Sequence, residues 1–231
     1  MEYLLIKRLK IFIRQLQEFL DRNIFGSFIQ KFIWRWKHIY VKDWTKTSLG
    51  SIDLAHRDQL TSVIASCNNV QSVLEIGCAS APNLRLLREK LPSVQLSGID
   101  INKKAIRTAH DYFRSVNDDK VNLIAKAADQ LDDFQDKSFD VVFSQAVMIY
   151  ISPPNISKVI EEMLRLSSNL VVFNEYHLDG ADEGFFDNGR WVYDYYTIIR
   201  RNYPEATISM QKTDFKGGSW DLYGKLITVK L

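Results

Sequence analysis

The sequence predicts an α/β fold: a seven-stranded, mostly parallel sheet with helices on both faces, an antiparallel final strand and an N-terminal helical extension. Three observations carry this reading. From about residue 53, short β-branched runs alternate with segments of helical spacing, and strands that alternate with helices pair in parallel. VLEIGCASAPN, residues 73–83, passes from a buried strand through Gly77 and small residues to Pro82, and LRLLREKL follows with helical spacing. The last two strand-like runs are separated by a loop carrying the turn Lys216-Gly217-Gly218-Ser219, with no crossover helix, so they pair antiparallel.

The totals bound the rest. A chain of 231 residues with 46% hydrophobic content can build one sizeable core and one appendage. Residues 1–48 hold ten Lys/Arg and four Asp/Glu, while the whole chain is only +2. We therefore divide it into a basic helical extension, 1–48, and a main domain, 49–231. The overall charge is too small to call for nucleic acid, and none is expected as a partner. Cys67 and Cys78 do not form a disulfide framework, and the charged start MEYLLIKRLKIFIRQLQEFL lacks the pattern of a secretory signal. The expected location is cytoplasmic, with peripheral membrane attachment as the added possibility for the extension.

In that extension Leu5, Leu9, Phe12, Ile13, Leu16 and Leu20 recur at helical spacing, with Lys7, Lys10, Arg14, Gln17 and Asp21 largely opposite. A second helical segment, about 24–42, interleaves Phe25, Phe28, Phe32, Trp34, Trp36 and Tyr40 with Lys31, Arg35, Lys37 and Lys42. Two readings stand for these helices: a cap that covers the domain or an active site or pairs with another subunit, and a membrane-interface element.

The main domain then runs in order. A helix near 53–67 precedes strand 71–76, and a helix over 83–91 follows. Strand 94–100 leads to helix 103–116, then strand 120–126 and an acidic loop. Strand 139–144 comes next, and Pro153-Pro154-Asn155 starts a helix to about 168. Strand 170–175 is followed by an acidic loop over 177–189, a helix near 191–202, and strands 206–212 and 222–230.

In such a sheet a ligand lies across the carboxyl ends of the strands, where their order reverses. Those ends carry Glu75, Gly77, Cys78 and Ala79; then Asp100 and Ile101; then Ala128-Asp129; then Ser144-Gln145; and finally Asn174-Glu175-Tyr176-His177. Helix starts suit anionic groups, and Gly77 lets the backbone approach a ligand closely. Glu75 is unsuited to a pyrophosphate but suited to an ammonium group. Asp100 can accept both hydroxyls of a ribose, and Ile101 offers an apolar face to a base. The dinucleotide pattern G-x-G-x-x-G would place its glycines at 77, 79 and 82, which here are Gly, Ala and Pro. That disfavours a nicotinamide-dependent dehydrogenase.

With these residues in place, 53–231 resembles the class I S-adenosylmethionine-dependent methyltransferases, whose fold is Rossmann-like. The resemblance rests on LEIGCASA (74–81), GIDIN (98–102), AADQLDDF (127–134) and SFDVVFSQAVMIYI (138–151). It implies S-adenosyl-L-methionine as cofactor. Gly77, Cys78 and Ala79 would cradle its aminocarboxylate end, with Glu75 near its amino group. Asp100 would hold the ribose, Ile101 the adenine face and Asp129 the adenine amine. Ser144 and Gln145 would flank the reacting methyl. The family often has glycine where this chain has Ala79 and Ala81. Those alanines keep a non-catalytic, methyltransferase-like binding module open as the alternative.

Methyl transfer to a hydroxyl needs a proton acceptor. His177 is the first expectation, with Glu175 and Asp194 as further ones. Tyr150, Asn174 and Tyr176 are expected to line the acceptor's side. The loop 177–189 holds Asp179, Asp182, Glu183 and Asp187 with Gly180, Gly184 and Gly189. It suggests a mobile lid over the acceptor. Such acids are ordinarily solvated, and no metal is expected. The expected acceptor is a small, hydroxyl-bearing molecule, a saccharide or other secondary metabolite.

Overall fold

The computed structural model describes residues 11–13, 15–16, 18–20, 22–23 and 28–231. The expectations for Leu5, Lys7, Leu9, Lys10, Arg14, Gln17, Asp21 and Phe25 lie outside the described residues. The described residues of 11–23 are helical. Two helices follow, α1 (Phe28–Tyr40) and α2 (Trp44–Gly50). The single aromatic segment expected over 24–42 thus ends at Tyr40, and Asp43 turns the chain with a left-handed φ of 55°.

The α/β alternation then runs α3 (Ala55–Ala65), β1 (Ser72–Ile76), α4 (Pro82–Lys90), β2 (Gln95–Asp100), α5 (Lys103–Ser115), β3 (Val121–Ala125) and β4 (Phe139–Gln145). After a 3₁₀ turn, Met148–Tyr150, come α6 (Pro153–Leu166) and β5 (Ser167–Tyr176). Local chemistry explains the starts. Asn102 caps α5 by accepting from the N–H groups of Lys104 and Ala105, while Pro82 and Pro153 occupy first-turn positions where no N–H is needed.

The principal departure follows β5. Residues expected to be a lid loop and the start of a helix instead form a hairpin, β6 (Phe185–Asp187) and β7 (Arg190–Val192). Asn188 and Gly189 both take positive φ, 47° and 79°, as the tight turn of a two-residue hairpin requires. The helix, α7 (Tyr195–Asn202), begins only after Asp194, whose carboxylate caps it by accepting from Thr197 N–H. The chain ends in β8 (Thr207–Lys212), the short α8 (Ser219–Tyr223) and β9 (Gly224–Lys230).

The main sheet has seven strands in the order β3-β2-β1-β4-β5-β9-β8. Five are parallel, and β9 pairs antiparallel with both β5 and β8. Alternate residues along each strand feed two cores. Val73, Val141, Phe143 and Val172 pack with Leu60 and Ile64 of α3 and Leu84 and Leu87 of α4. Leu74, Val142, Val171 and Phe173 pack with Val159, Ile160 and Met163 of α6 and Ile198 of α7. This period-2 alternation also decides which polar residues meet at the strand ends. Strand order reverses between β1 and β4, so the crevice opens above their carboxyl ends.

Candidate functional site

A cavity of about 250 Å³ sits at that reversal. Its floor is the turn after β1. Gly77 and Cys78 N–H both donate to Ile99 O, at 2.8 and 2.9 Å, and Ala79 N–H donates to Asp100 Oδ2 at 2.9 Å. Gly77, Ala79 and Ala81 all take left-handed φ, 75°, 50° and 60°. The turn therefore keeps the geometry that glycine at alternate positions would give, with two alanines held in it at about 1–2 kcal/mol each. Gly77 has no such latitude, because a Cβ there would lie 2.3 Å from Val147 Cγ2.

Glu75 shares a strand face with Val73, so it points toward α3 and α4. Those helices supply Arg57 and Asn83. Asn83 Nδ2 donates to Glu75 Oε1 at 2.7 Å and to Gln145 Oε1 at 2.9 Å. Arg57 Nη1 donates to Asn83 Oδ1 at 2.8 Å and Gln145 Oε1 at 3.1 Å. Burial pushes the Glu75 carboxyl up to about 7, against the hydrogen bond from Asn83 and the charge of Arg57. Asp100 is also raised by burial, against the N–H groups of Asn102 and Ala79 and the charge of Lys37.

Of the residues expected to hold a cofactor, Glu75, Gly77, Cys78, Ala79, Asp100, Ile101, Asp129 and Gln145 line this cavity. Ser144 does not. It lies on the opposite strand face from Gln145 and donates to Glu175 Oε1 at 2.9 Å. Tyr150 lines the cavity, whereas Asn174 and Tyr176 do not.

None of the three expected proton acceptors reaches the cavity. Glu175 is fully buried, accepting from Ser144 and from Val147 N–H at 3.0 Å, and so braces the loop after β4. Burial pushes its carboxyl up to about 7, against those bonds. His177 donates from Nε2 to Asp179 Oδ1 at 2.9 Å and accepts at Nδ1 from Tyr195 N–H at 3.3 Å. Asp194 accepts from Gly180 N–H at 2.9 Å and Thr197 Oγ1 at 2.8 Å. Burial raises its carboxyl, but these bonds outweigh it and hold it below the usual range. Ligating atoms of His177, Asp179 and Asp194 lie within 4.8 Å of one another, but each is committed to the protein. The expected lid over 177–189 is also absent from the cavity lining, because the hairpin holds its second half.

The other wall falls where an active-site cover is one reading of the extension. It comes from α1 and α2, through Gln30, Lys31, Trp34, Trp44 and Ser48. Lys31 Nζ pairs with Asp129 Oδ2, Asn102 Nδ2 donates to Trp34 O at 2.8 Å, and the Trp34 ring lies 4.8 Å from Tyr150. Lys37 Nζ sits 3.6 Å over the Trp34 ring. Burial lowers its pKa to about 8, against the charge of Asp100. One signal existed in the sequence: Gln30, Lys31, Trp34, Lys37 and His38 fall on one side of a helix.

The unpartnered buried atoms test the fit of a cofactor. Glu75 Oε2, Gln145 Nε2, Arg57 Nε and Asp129 Oδ1 are buried without hydrogen-bond partners, and all four residues line the cavity. Buried polar atoms ordinarily find partners. Acceptors at Glu75 and Asp129, with donors at Gln145 and Arg57, match a ligand with an ammonium and a carboxylate at one end and an exocyclic amine at the other. S-adenosylmethionine has those groups.

Comparison with known proteins agrees. Residues 73–169 match a family described as a methyltransferase domain. The chain is similar to magnesium protoporphyrin IX methyltransferase from Synechocystis PCC 6803 with bound S-adenosylmethionine, at 15% identity and a TM-score of 0.60, over 93% of this chain and 96% of that one. It is also similar to an S-adenosylmethionine-dependent methyltransferase from Aquifex aeolicus, at 14% identity and a TM-score of 0.57, over 80% of this chain and 97% of that one. At these identities the structures speak for the fold, and the family match speaks for the domain within it. The chain accordingly carries a methyltransferase domain over residues 73–169, on the fold that S-adenosylmethionine-dependent methyltransferases share.

Proposed function

We propose that this enzyme transfers the methyl group to a small, hydroxyl-bearing acceptor with a flat or ring-shaped body, such as a saccharide or other secondary metabolite. The observation that carries the proposal is the aromatic wall beside the cradle, made by Trp34, Trp44, Tyr150 and Phe215. Aromatic faces hold rings by stacking.

The cofactor supplies an electrophilic methyl on a sulfonium. The chain's own residues then have separate duties. Glu75 Oε2 takes the ammonium end, and Gln145 Nε2 and Arg57 Nε take the carboxylate. Asp100 receives the ribose hydroxyls, Asp129 Oδ1 the adenine amine, and Ile101 packs on the base. Wall residues of α1 and α2 exclude water and orient the acceptor, which is most of what an in-line displacement requires. Tyr150 Oη, which accepts from Arg190 Nε at 3.4 Å, positions the acceptor hydroxyl, and the proton that this hydroxyl loses passes to solvent, since His177, Glu175 and Asp194 lie outside the cavity.

The test is a transfer assay with phenolic, glycosidic and amine acceptors, reading product mass. The expectation is O-methyl product, with Tyr150→Phe raising KM several-fold. Methylation confined to amines would overturn the acceptor assignment. Titration of the pure protein with S-adenosylmethionine separately tests the cradle, where Asp100→Ala should abolish binding.

A further inference from the structure

Helix α1 is amphipathic in the reverse of the usual sense. A surface helix of a globular protein turns its apolar stripe inward and its charges outward. In α1 the polar side faces the domain: Gln30 is buried, Lys31 pairs with Asp129, and Lys37 lies half-buried over Trp34. The apolar side faces out, with Phe28 66%, Phe32 60%, Trp36 43% and Ile39 68% exposed. Among the described residues, 12 of the 19 exposed large hydrophobics fall between Ile11 and Val41, and the other seven are scattered. A concentration of that kind marks an interaction surface.

We infer that this outer face of α1 docks onto an anionic lipid bilayer. Charge selects that occupant. Arg35, Lys42 and Lys46 are exposed beside the apolar face, and Lys103, Lys104 and Arg107 are exposed on α5, which Asn102 ties to α1 through Trp34 O at 2.8 Å. A groove of about 410 Å³ between the two is lined by Arg35, Trp36, His38, Lys103 and Lys126, with no acidic side chain in its lining. Basic residues outnumber acidic ones ten to four over 1–48, so a second copy on this face would bring like charges together. A negative lipid surface attracts them instead. No helix among the described residues is long and apolar enough to cross a membrane. An aromatic helix rimmed by cations lies in the interface plane, its Phe and Trp side chains at the headgroup boundary.

Because the inner side of α1 supplies Lys31 and Trp34 to the cavity, docking places one wall of the cavity at the bilayer. The inference does not depend on the acceptor proposed above.

The experiment is flotation of the full chain with vesicles of phosphatidylcholine alone and of phosphatidylcholine with phosphatidylglycerol, at low and high salt. The expected result is recovery with the anionic vesicles only, weakened by salt. The variant Phe28→Ser/Phe32→Ser/Ile39→Ser should lower partitioning on the order of tenfold or more. These side chains line no part of the cavity, so S-adenosylmethionine binding and circular dichroism should be unchanged in that variant. Absence of wild-type binding, or equal binding by the variant, would overturn the inference. So would a concentration-dependent dimer that the same variant abolishes while vesicles recover no protein.

Discussion

Asn83 Nδ2 donates to Glu75 Oε1 at 2.7 Å, joining the first turn of α4 to the end of β1 across eight residues of sequence. This bond leaves Glu75 Oε2 buried and unpartnered in a residue that lines the cavity, and in the proposed function it takes the cofactor's ammonium. The pair turns an ordinary strand-end acid into a pH-sensitive contact.

With its carboxyl raised from 4.5 to about 7, folded Glu75 holds its proton more tightly than unfolded Glu75. The stability it contributes is complete below pH 4.5 and is lost as pH rises through 7. Cofactor binding runs the other way, since an ammonium needs the carboxylate. Affinity should rise with pH up to about 7 and fall about tenfold per pH unit below it, as calorimetric titration would measure. Glu75→Gln should bind weakly with a flat profile. Glu175 is raised to about 7 as well but lies outside the cavity, so Glu175→Gln should keep the slope if it folds.

Ala79 holds a φ of 50° that glycine adopts without strain. Relief of about 1–2 kcal/mol, less the added freedom of glycine in the unfolded chain, leaves a net gain of roughly 0.5–1 kcal/mol for Ala79→Gly. Thermal unfolding should shift upward by about 1–4 °C. Ala81→Gly should gain less, because the Ala81 methyl is fully buried in the core. A fall in melting temperature for Ala79→Gly would contradict the strained turn.

His177 is bonded at both ring nitrogens, which makes it a brace between β5 and the start of α7. His177→Ala should cost about 1–3 kcal/mol of stability and leave kcat within a few-fold. Loss of about 10²–10⁴ in kcat from a folded variant would restore it as the general base.

Trp34 joins α1 to the cavity through Tyr150, with ring centroids 4.8 Å apart, and packs edge-on to Trp44 at 6.0 Å. Trp34→Ala should speed cofactor release on the order of tenfold, the loss of two aromatic pairs at about 0.5–1.5 kcal/mol each. Stopped-flow dissociation checks this, and an unchanged rate would mean that α1 does not retain the cofactor.

What the sequence by itself determined is the chemistry strung along the chain. The alternation of strands and helices, the Glu75-x-Gly77 turn, Asp100 at the end of β2 and the antiparallel ending all follow from local rules of period, turn and capping. Around 185–194 the expected loop and helix start give way to a hairpin. Asn188-Gly189 is a hairpin turn and Asp194 a helix cap, and both signals lie in the sequence. What only the tertiary structure decided is which side chains meet. Strand faces separate Glu75 and Gln145 from Ser144 and Glu175, so neighbours in sequence serve opposite sides of the sheet. Arg57, Asn83 and the inward polar face of α1 reach the cavity from three separate helices. Their spacing along the chain carries no trace of that meeting, because it is set by how the helices pack on the sheet.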